Sequence, residues 1–401
     1  MRDSYDVVIV GGAVIGSAVA HHLAADPGFG GRVLVVERDP TYAGASTGLS
    51  ASGIRVQFSS ALNVKISQYG LEVIKGFAEE MGVDGDRPDL NFHQGGYLYL
   101  AGTAAQEAFL RRSHEVQRAC GADVVLWTPD ELAAAFPHLR TGDIRLASYG
   151  RSGEGWFSNT GLMNGFRAKA RANGADYVTD EVAAVLRDGT RATGVRLASG
   201  REIAAGWVVN CAGPRAAQVA RMAGVEIPVE PRKRTVFVFD CAQSPEGTAR
   251  VQEGRLPLMI DPTGVYVRPE GRYFLAGAVP PEDSAVDWDD FEPRHGEFED
   301  IIWPALAERS EAFEAIKLVN MWAGHYAMNT LDQNAIVGPH PELPNFVLAN
   351  GFSGHGLQQA PATGRAVAEW IVHGGYHSLD FSELGMERVL ERRAVPEQAI
   401  I

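Results

Sequence analysis

Apolar residues cluster along this chain in two rhythms, short continuous runs and stretches spaced for a helix. Val7 to Val10 is a continuous run that reads as a strand buried on both faces. Gly11, Gly12 and Gly16 then turn the chain into a helix over Ser17 to Ala25, and a second apolar run, Val33 to Val36, ends in Glu37. Between residues 63 and 81, Val64, Ile66, Leu71, Ile74 and Phe77 recur at helical spacing and predict an amphipathic helix. Residues 95–100 read as a strand, and 104–120 and 129–136 as helices, the second opened by Asp130 and Glu131.

A β-rich stretch follows, with strands at 181–186, 192–197 and 202–203. Another buried run begins at Trp207 and breaks at Gly213 and Pro214. Alternation then predicts antiparallel strands from Thr235 to Phe239, Leu258 to Ile260, Val265 to Arg268 and Tyr273 to Ala276. An acidic, proline-containing region (280–299) leads to a helix ending near Ser310. After a turn at 329–334 come strands at 335–338 and 346–349, and Gly351 to Gly356 opens a helix over 358–373. There is no internal repeat. This order predicts an α/β fold with an α+β lid. Pieces 1–85, 145–228 and 325–390 build a discontinuous nucleotide-binding domain; 86–144 and 229–324 build an antiparallel-sheet substrate domain; 391–401 is a C-terminal tail.

Composition narrows the function. With 401 residues, 45% of them hydrophobic and 21% charged, the chain has the makeup of an ordinary folded enzyme. A net charge of −14 opposes nucleic-acid binding, and the run Arg232-Lys233-Arg234 is short enough to be solvated or locally paired. No window is apolar enough to span a membrane. The four residues before Tyr5 leave no room for a signal or transit peptide. Three cysteines (Cys120, Cys211, Cys241) form neither a metal-binding spacing nor an even disulfide set. The expectation is a cytoplasmic protein without a metal.

The first glycine turn carries the chemistry. N–H groups at the start of a helix have no partners within it and face a partial positive charge, so they suit a pyrophosphate. Glu37 lies where an acid accepts hydrogen bonds from an adenosine ribose. Ala13 stands in place of the middle glycine of G-x-G-x-x-G, narrowing the approach by one methyl group. Strand, turn, helix and acid together predict a Rossmann-like dinucleotide site; the alternative is a βαβ unit that holds no phosphate. The second glycine turn, Gly351 to Gly356, favours a flavin over nicotinamide, because it returns a helix N-terminus to where an isoalloxazine ring would lie.

The opening Gly-Gly-Ala-Val-Ile-Gly16, Val-Asn-Cys-Ala-Gly-Pro214 and Gly-Phe-Ser-Gly-His-Gly356 together resemble the D-amino acid oxidase, glycine oxidase and sarcosine oxidase superfamily. Within it, three stretches look closest to the FAD-dependent oxidoreductase domain-containing proteins tied to respiratory complex I assembly. They are Pro231 to Thr235, Asn329 to Asn334 with Gly338 to Pro341, and Gly354 to Pro361. The resemblance implies an FAD-binding domain of the p-hydroxybenzoate hydroxylase type. It implies oxidation of the C–N bond of an amino acid or secondary amine, with oxygen or an electron-transfer protein as acceptor and a homo-oligomer among the options.

Carried onto this sequence, the resemblance assigns the pyrophosphate to Gly11, Gly12, Ala13, Val14, Ile15 and Gly16, and the ribose to Glu37 beside Arg38. Ser46, Thr47, Ser52 and Gly53 would line the path to the ring, with Val182 at the adenine and Cys211, Ala212 and Gly213 at the neighbouring strand end. Gly351, Phe352, Ser353, Gly354, His355, Gly356, Leu357 and Gln358 would face the N1–C2 edge of the flavin. The cysteine that tethers FAD in sarcosine oxidases is missing from 324–330, and the histidine that tethers it in dimethylglycine dehydrogenases is missing just after 46–53, which implies non-covalent FAD; a histidyl link through His325 is the alternative.

For the substrate, Arg55 aligns with a carboxylate-binding arginine, and Gln358 takes the place of a lysine. Arg268, Tyr266, His325 and Tyr326 complete the candidates. Each has a plainer reading: Arg55 paired to a loop carboxylate, Tyr266 packed in a sheet, Arg268 a surface charge, His325 and His355 ordinary hydrogen-bonded residues. Hydride transfer relies on positioning, so no strong catalytic base is required. A 2-hydroxy acid dehydrogenase and a non-catalytic, FAD-stabilised assembly factor are the alternative functions.

Overall fold

Strand β1 (Ser4–Val10) pairs in parallel with β2 (Val33–Glu37) on one side and with β9 (Glu202–Asn210) on the other. Val7, Val8 and Ile9 are fully buried in the computed structural model, which describes residues 2–248, 251 and 255–399. Beyond β2 lies β6 (Asp176–Thr179). Beyond β9 lie β16 (Leu343–Asn350), parallel, and β15 (Ile336–His340), antiparallel. β7 (Val182–Asp188) and β8 (Arg191–Leu197) form a hairpin joined to β9.

Helix α1 (Val14–Ala25) packs against α5 (Asn159–Ala172) and α8 (Gly356–His373), and α8 also meets α2 (Ala61–Glu80). Small residues permit this closeness: a Cβ on Gly364 would stand 2.6 Å from the Ala18 carbonyl carbon. Short α6 (Ala216–Met222) follows β9.

The second sheet runs β14 (Ile316–Asn329), β10 (Val229–Cys241), β13 (Tyr273–Gly277), β12 (Tyr266–Glu270), β11 (Leu258–Ile260), β3 (Tyr97–Ala101), β5 (Leu146–Gly150), β4 (Val124–Trp127). One face packs on Phe237, Phe239, Phe274, Phe298 and Phe313. Helix α3 (Ala104–Ala119) and α4 (Pro129–Ala135) each begin in a capping box, Thr103 with Gln106 and Thr128 with Glu131. A π-helical turn at Phe298–Ile302 runs into α7 (Trp303–Arg309), and α9 (Met386–Leu390) precedes the C-terminal segment.

The structure adds what the pattern did not predict. β14 begins with partly exposed residues at a sheet edge, where Lys317 and Asn320 interrupt the apolar alternation. The runs at 202–203 and 207–211 are one strand, β9, carried through Gly206, where a Cβ would lie 2.8 Å from the Asp6 carbonyl oxygen. β5 belongs to the second sheet, so the expected boundary at 145 falls before that sheet ends; β14 likewise runs through the boundary at 324/325. Residues 249–250 and 252–254 of the expected substrate domain, and 400–401 of the tail, lie outside the described residues.

Candidate active site

The β1–α1 turn is built by steric necessity. Gly11 sits at φ +98°, and a Cβ there would stand 2.5 Å from the Cys211 carbonyl oxygen; one on Gly16 would stand 1.9 Å from the Gly11 carbonyl oxygen. Gly12 donates its amide to Glu37 Oε2 at 2.8 Å, while Glu37 Oε1 accepts from the Asp39 amide at 2.9 Å. Ala13 contributes no capping side chain to α1, so the first turn faces an open cleft.

That cleft is a continuous cavity of about 460 Å³ running from Glu37 to the second sheet. Ala13, Val14, Ile15, Arg38 and Val182 line its first end, with Cys211, Ala212 and Gly213 beside them. Burial pushes the Cys211 thiol up, which leaves it protonated and inert. Ser46, Thr47, Ser52 and Gly53 form the wall beyond. This wall is tied down on several sides: Ser46 Oγ donates to the His325 carbonyl at 2.6 Å, Asn159 Nδ2 to the Thr47 carbonyl at 2.9 Å, and Trp322 Nε1 to the Leu49 carbonyl at 2.9 Å.

The second glycine turn closes the far end. Ser353 adopts φ +50° and donates its amide to the Ala327 carbonyl at 3.0 Å, while its Oγ accepts from the Asn329 amide at 3.0 Å. Gly354 must lack a side chain, since a Cβ would meet the Tyr326 ring at 2.4 Å. His355, the N-cap of α8, makes no capping bond, and Gly356, Leu357 and Gln358 line the cavity. Thr47 Oγ1 accepts the Val14 amide at 3.3 Å, and the two helix N-termini, neither capped by its own N-cap side chain, open on one cleft. The first suits a diphosphate beside an acid that can hold a ribose, and the second suits a ring that becomes negative on reduction. The donor set fits FAD.

At the substrate end, Arg55 is buried. Its Nη2 donates to the Ala399 carbonyl and lies 3.1 Å from His355 Nε2, and its guanidinium stacks 4.4 Å from the Phe58 ring centre. No carboxylate pairs with it among the described residues, and its Nε has no hydrogen-bond partner. Burial, reinforced by Arg55, holds the His355 imidazole well below its usual range and keeps it neutral. Gln358 Oε1 accepts the Arg55 backbone amide at 2.9 Å. Tyr97, Tyr266 and Tyr326 line the same end with Val236 and Leu258, and burial raises all three phenols, so they remain protonated.

Three sequence-derived expectations change. Arg268 does not line the cavity: it donates to the Ala51 carbonyl at 2.7 Å, pairs with Glu270 and stacks on Trp156, which makes it a brace rather than a carboxylate ligand. Gly12, Gly16 and Gly351 shape the turns without forming the cavity wall. His325 lines the cavity, but its Nε2 bonds the Asp290 carbonyl at 2.7 Å, its ring stacks on Phe291 at 4.4 Å, and burial lowers its pKa. Because a carbonyl only accepts, Nε2 carries the proton of this neutral ring.

Sequence reasoning missed Arg234, which lines the cavity, stacks 4.9 Å from the Tyr326 ring and grips Asp283 through two bonds of 2.6 and 2.8 Å. The basic run it belongs to is paired but not solvated: Lys233 is buried against Asp290 at 2.7 Å, and Arg232 meets Glu230 at 2.8 Å. The signal was strand alternation, which sets Arg234 and Val236 on one face of β10.

A family profile described as FAD dependent oxidoreductase matches residues 6–370, and the chain belongs to that family. It is an FAD-dependent oxidoreductase with the fold of the amino acid oxidases and dehydrogenases. It is 39% identical over 430 residues to FAD-dependent oxidoreductase domain-containing protein 1 of Xenopus laevis, covering 99% of this chain and 85% of that one. L-Proline dehydrogenase from P. horikoshii superposes with a TM-score of 0.84 and 28% identity, covering 98% of this chain and 99% of that one. Glycine oxidase from Geobacillus kaustophilus shares the fold at a TM-score of 0.79 and 24% identity, over 96% and 98% of the two chains.

Proposed function

We propose that the protein oxidises the C–N bond of a small amino acid or N-substituted amino acid. One observation carries the reading: Arg55, a buried cation with no acidic partner among the described residues, faces the cavity where the α8 N-terminus marks the flavin end. Buried Glu154 lies within electrostatic reach of Arg55, but its carboxyl is raised to about 7 and is bonded to Gln57 and the Val56 amide, so a substrate carboxylate would supply the direct partner that Arg55 lacks. The likeness to an L-proline dehydrogenase supports the same class.

FAD held between the two glycine turns would supply the two-electron acceptor for the substrate's α-C–H bond, the amine losing a proton and the resulting imine being open to hydrolysis. The protein's part is binding and orientation. Arg55 holds the carboxylate, Gln358 fixes the Arg55 main chain, and Tyr97, Tyr266 and Tyr326 with Val236 and Leu258 enclose the side chain. His355 is neutral and shares its Nε2 with Arg55, so it acts as a partner to the clamp rather than as a base. Oxygen or an electron-transfer protein would be the final acceptor.

Anaerobic addition of a panel of secondary and primary amino acids to the yellow protein tests this. Bleaching of the flavin by amino acids supports it; bleaching by 2-hydroxy acids alone assigns the other dehydrogenase chemistry; no bleaching by either overturns it.

A further inference from the structure

The C-terminal segment is bolted behind the substrate end of the cavity, where it meets Arg55. Val395 donates its amide to Asp332 Oδ2 at 3.1 Å and accepts from Asn334 Nδ2 at 3.2 Å, and the Glu397 amide reaches the Asp332 carbonyl at 3.1 Å. Asp332 is itself locked by Arg388 in a fully buried ion pair at 2.9 Å. The segment therefore docks on a rigid anchor.

Glu397 is only 2% exposed, and its carboxylate accepts four hydrogen bonds. Oε1 takes the Ser59 amide at 3.0 Å, the Ser59 hydroxyl at 2.6 Å and the Ala399 amide at 3.0 Å; Oε2 takes Asn63 Nδ2 at 2.9 Å. Two residues on, the Ala399 carbonyl receives Arg55 Nη2. A main-chain carbonyl is a neutral acceptor. It orients a guanidinium without cancelling its charge, which a carboxylate in the same place would do.

We propose that Glu397 is a positioning residue of the substrate site, acting through the Ala399 carbonyl on Arg55. The strap occupies Nη2 and leaves Nη1, which has no partner among the described residues, to meet the substrate carboxylate. Arg55 thus grips its ligand through one nitrogen instead of a two-point fork, and the strap fixes which nitrogen that is. This rests on the amino acid reading of the cavity given above.

The test titrates FAD-loaded protein with pyrrole-2-carboxylate and with its carboxamide, following the flavin difference spectrum. Wild type binds the carboxylate in preference to the amide. Glu397→Ala weakens carboxylate binding about tenfold, leaves the weak amide binding and the FAD content unchanged, and Glu397→Gln, which keeps the Oε1 acceptor, recovers most of the loss. Ser59→Ala, a milder change to the same anchor, moves carboxylate affinity in the same direction and serves if Glu397→Ala does not fold. Unchanged or tighter carboxylate binding in these variants, beside a wild type that prefers the carboxylate, overturns the inference alone. A wild type with no such preference overturns the underlying reading and the inference with it.

Discussion

Gln358 Oε1 accepts the backbone amide of Arg55 at 2.9 Å, joining the first turn of the last long helix to a loop 303 positions earlier. The bond holds the carboxylate-binding cation and the flavin-facing helix end as one unit. Gln358→Ala leaves the Arg55 amide without its buried acceptor, at a cost of about 1–3 kcal/mol. The expected result is a rise in KM for an amino acid substrate of roughly tenfold or more, with FAD still bound. Steady-state kinetics beside an absorbance spectrum measures both.

Arg55→Ala removes the charge itself. Loss of a charged hydrogen bond to the substrate is worth about 1.5–3 kcal/mol, so kcat/KM for a carboxylate substrate falls by roughly ten- to a hundred-fold. The corresponding amino amide loses little. Equal losses for acid and amide would remove Arg55 from the carboxylate site.

Gly11→Ala attacks the cofactor. The new Cβ would stand 2.5 Å from the Cys211 carbonyl oxygen in a left-handed backbone that disfavours any side chain. The variant is expected to purify without colour and to melt lower than wild type. Wild type is expected to keep its flavin until unfolded and then to release it to solution. Fluorescence that stays with the denatured chain would establish a covalent link instead.

The acidic stretch after residue 280 lies over the cavity through Trp288, Asp289 and Phe291. It is pinned by Arg234 to Asp283, Lys233 to Asp290 and Arg215 to Asp289. Lys233 lowers the Asp290 pKa, chiefly through its hydrogen bond, and backbone donation from Glu292 adds to this. Screening weakens such pairs, so FAD dissociates a few-fold faster at about 1 M than at about 0.1 M salt. Asp290→Asn is expected to raise the low-salt rate and flatten the salt dependence; stopped-flow flavin fluorescence reads both.

Glu154 predicts a pH effect on stability. Burial pushes its carboxyl up to about 7, against the opposing donation from Gln57 and the Val56 amide. A carboxyl with a raised pKa binds its proton more tightly in the folded state. Its contribution is complete below the unfolded pKa and is lost as pH rises through about 7. The melting temperature of wild type should therefore fall relative to Glu154→Gln between pH 5 and 8, as calorimetry across that range would show.

Much of the cofactor site was legible because its logic is local. Gly11, Gly16 and Glu37 lie within one βαβ unit, where spacing alone states the geometry. Arg55 was legible only through resemblance, since its meaning depends on Gln358 and Ala399 far along the chain. Arg268 misled because an arginine within a strand looks the same whether it turns toward a ligand or, as here, toward Ala51 and Glu270. Arg234 hid in a basic run whose partner, Asp283, lies 49 positions away. The docking of Glu397 on Ser59 and Asn63 was equally out of reach: nothing in a short polar tail distinguishes a free end from a bolted one.

The central claim is that flavin held by this chain takes electrons from an α-amino acid clamped by Arg55. Anaerobic titration with secondary amino acids, followed by absorbance near the flavin maximum, tests it most directly. Wild type is expected to bleach with a saturable dependence that Arg55→Ala shifts to much higher concentration. A flavin that stays oxidised against every amino acid, or one that bleaches equally well in both proteins, would contradict the account.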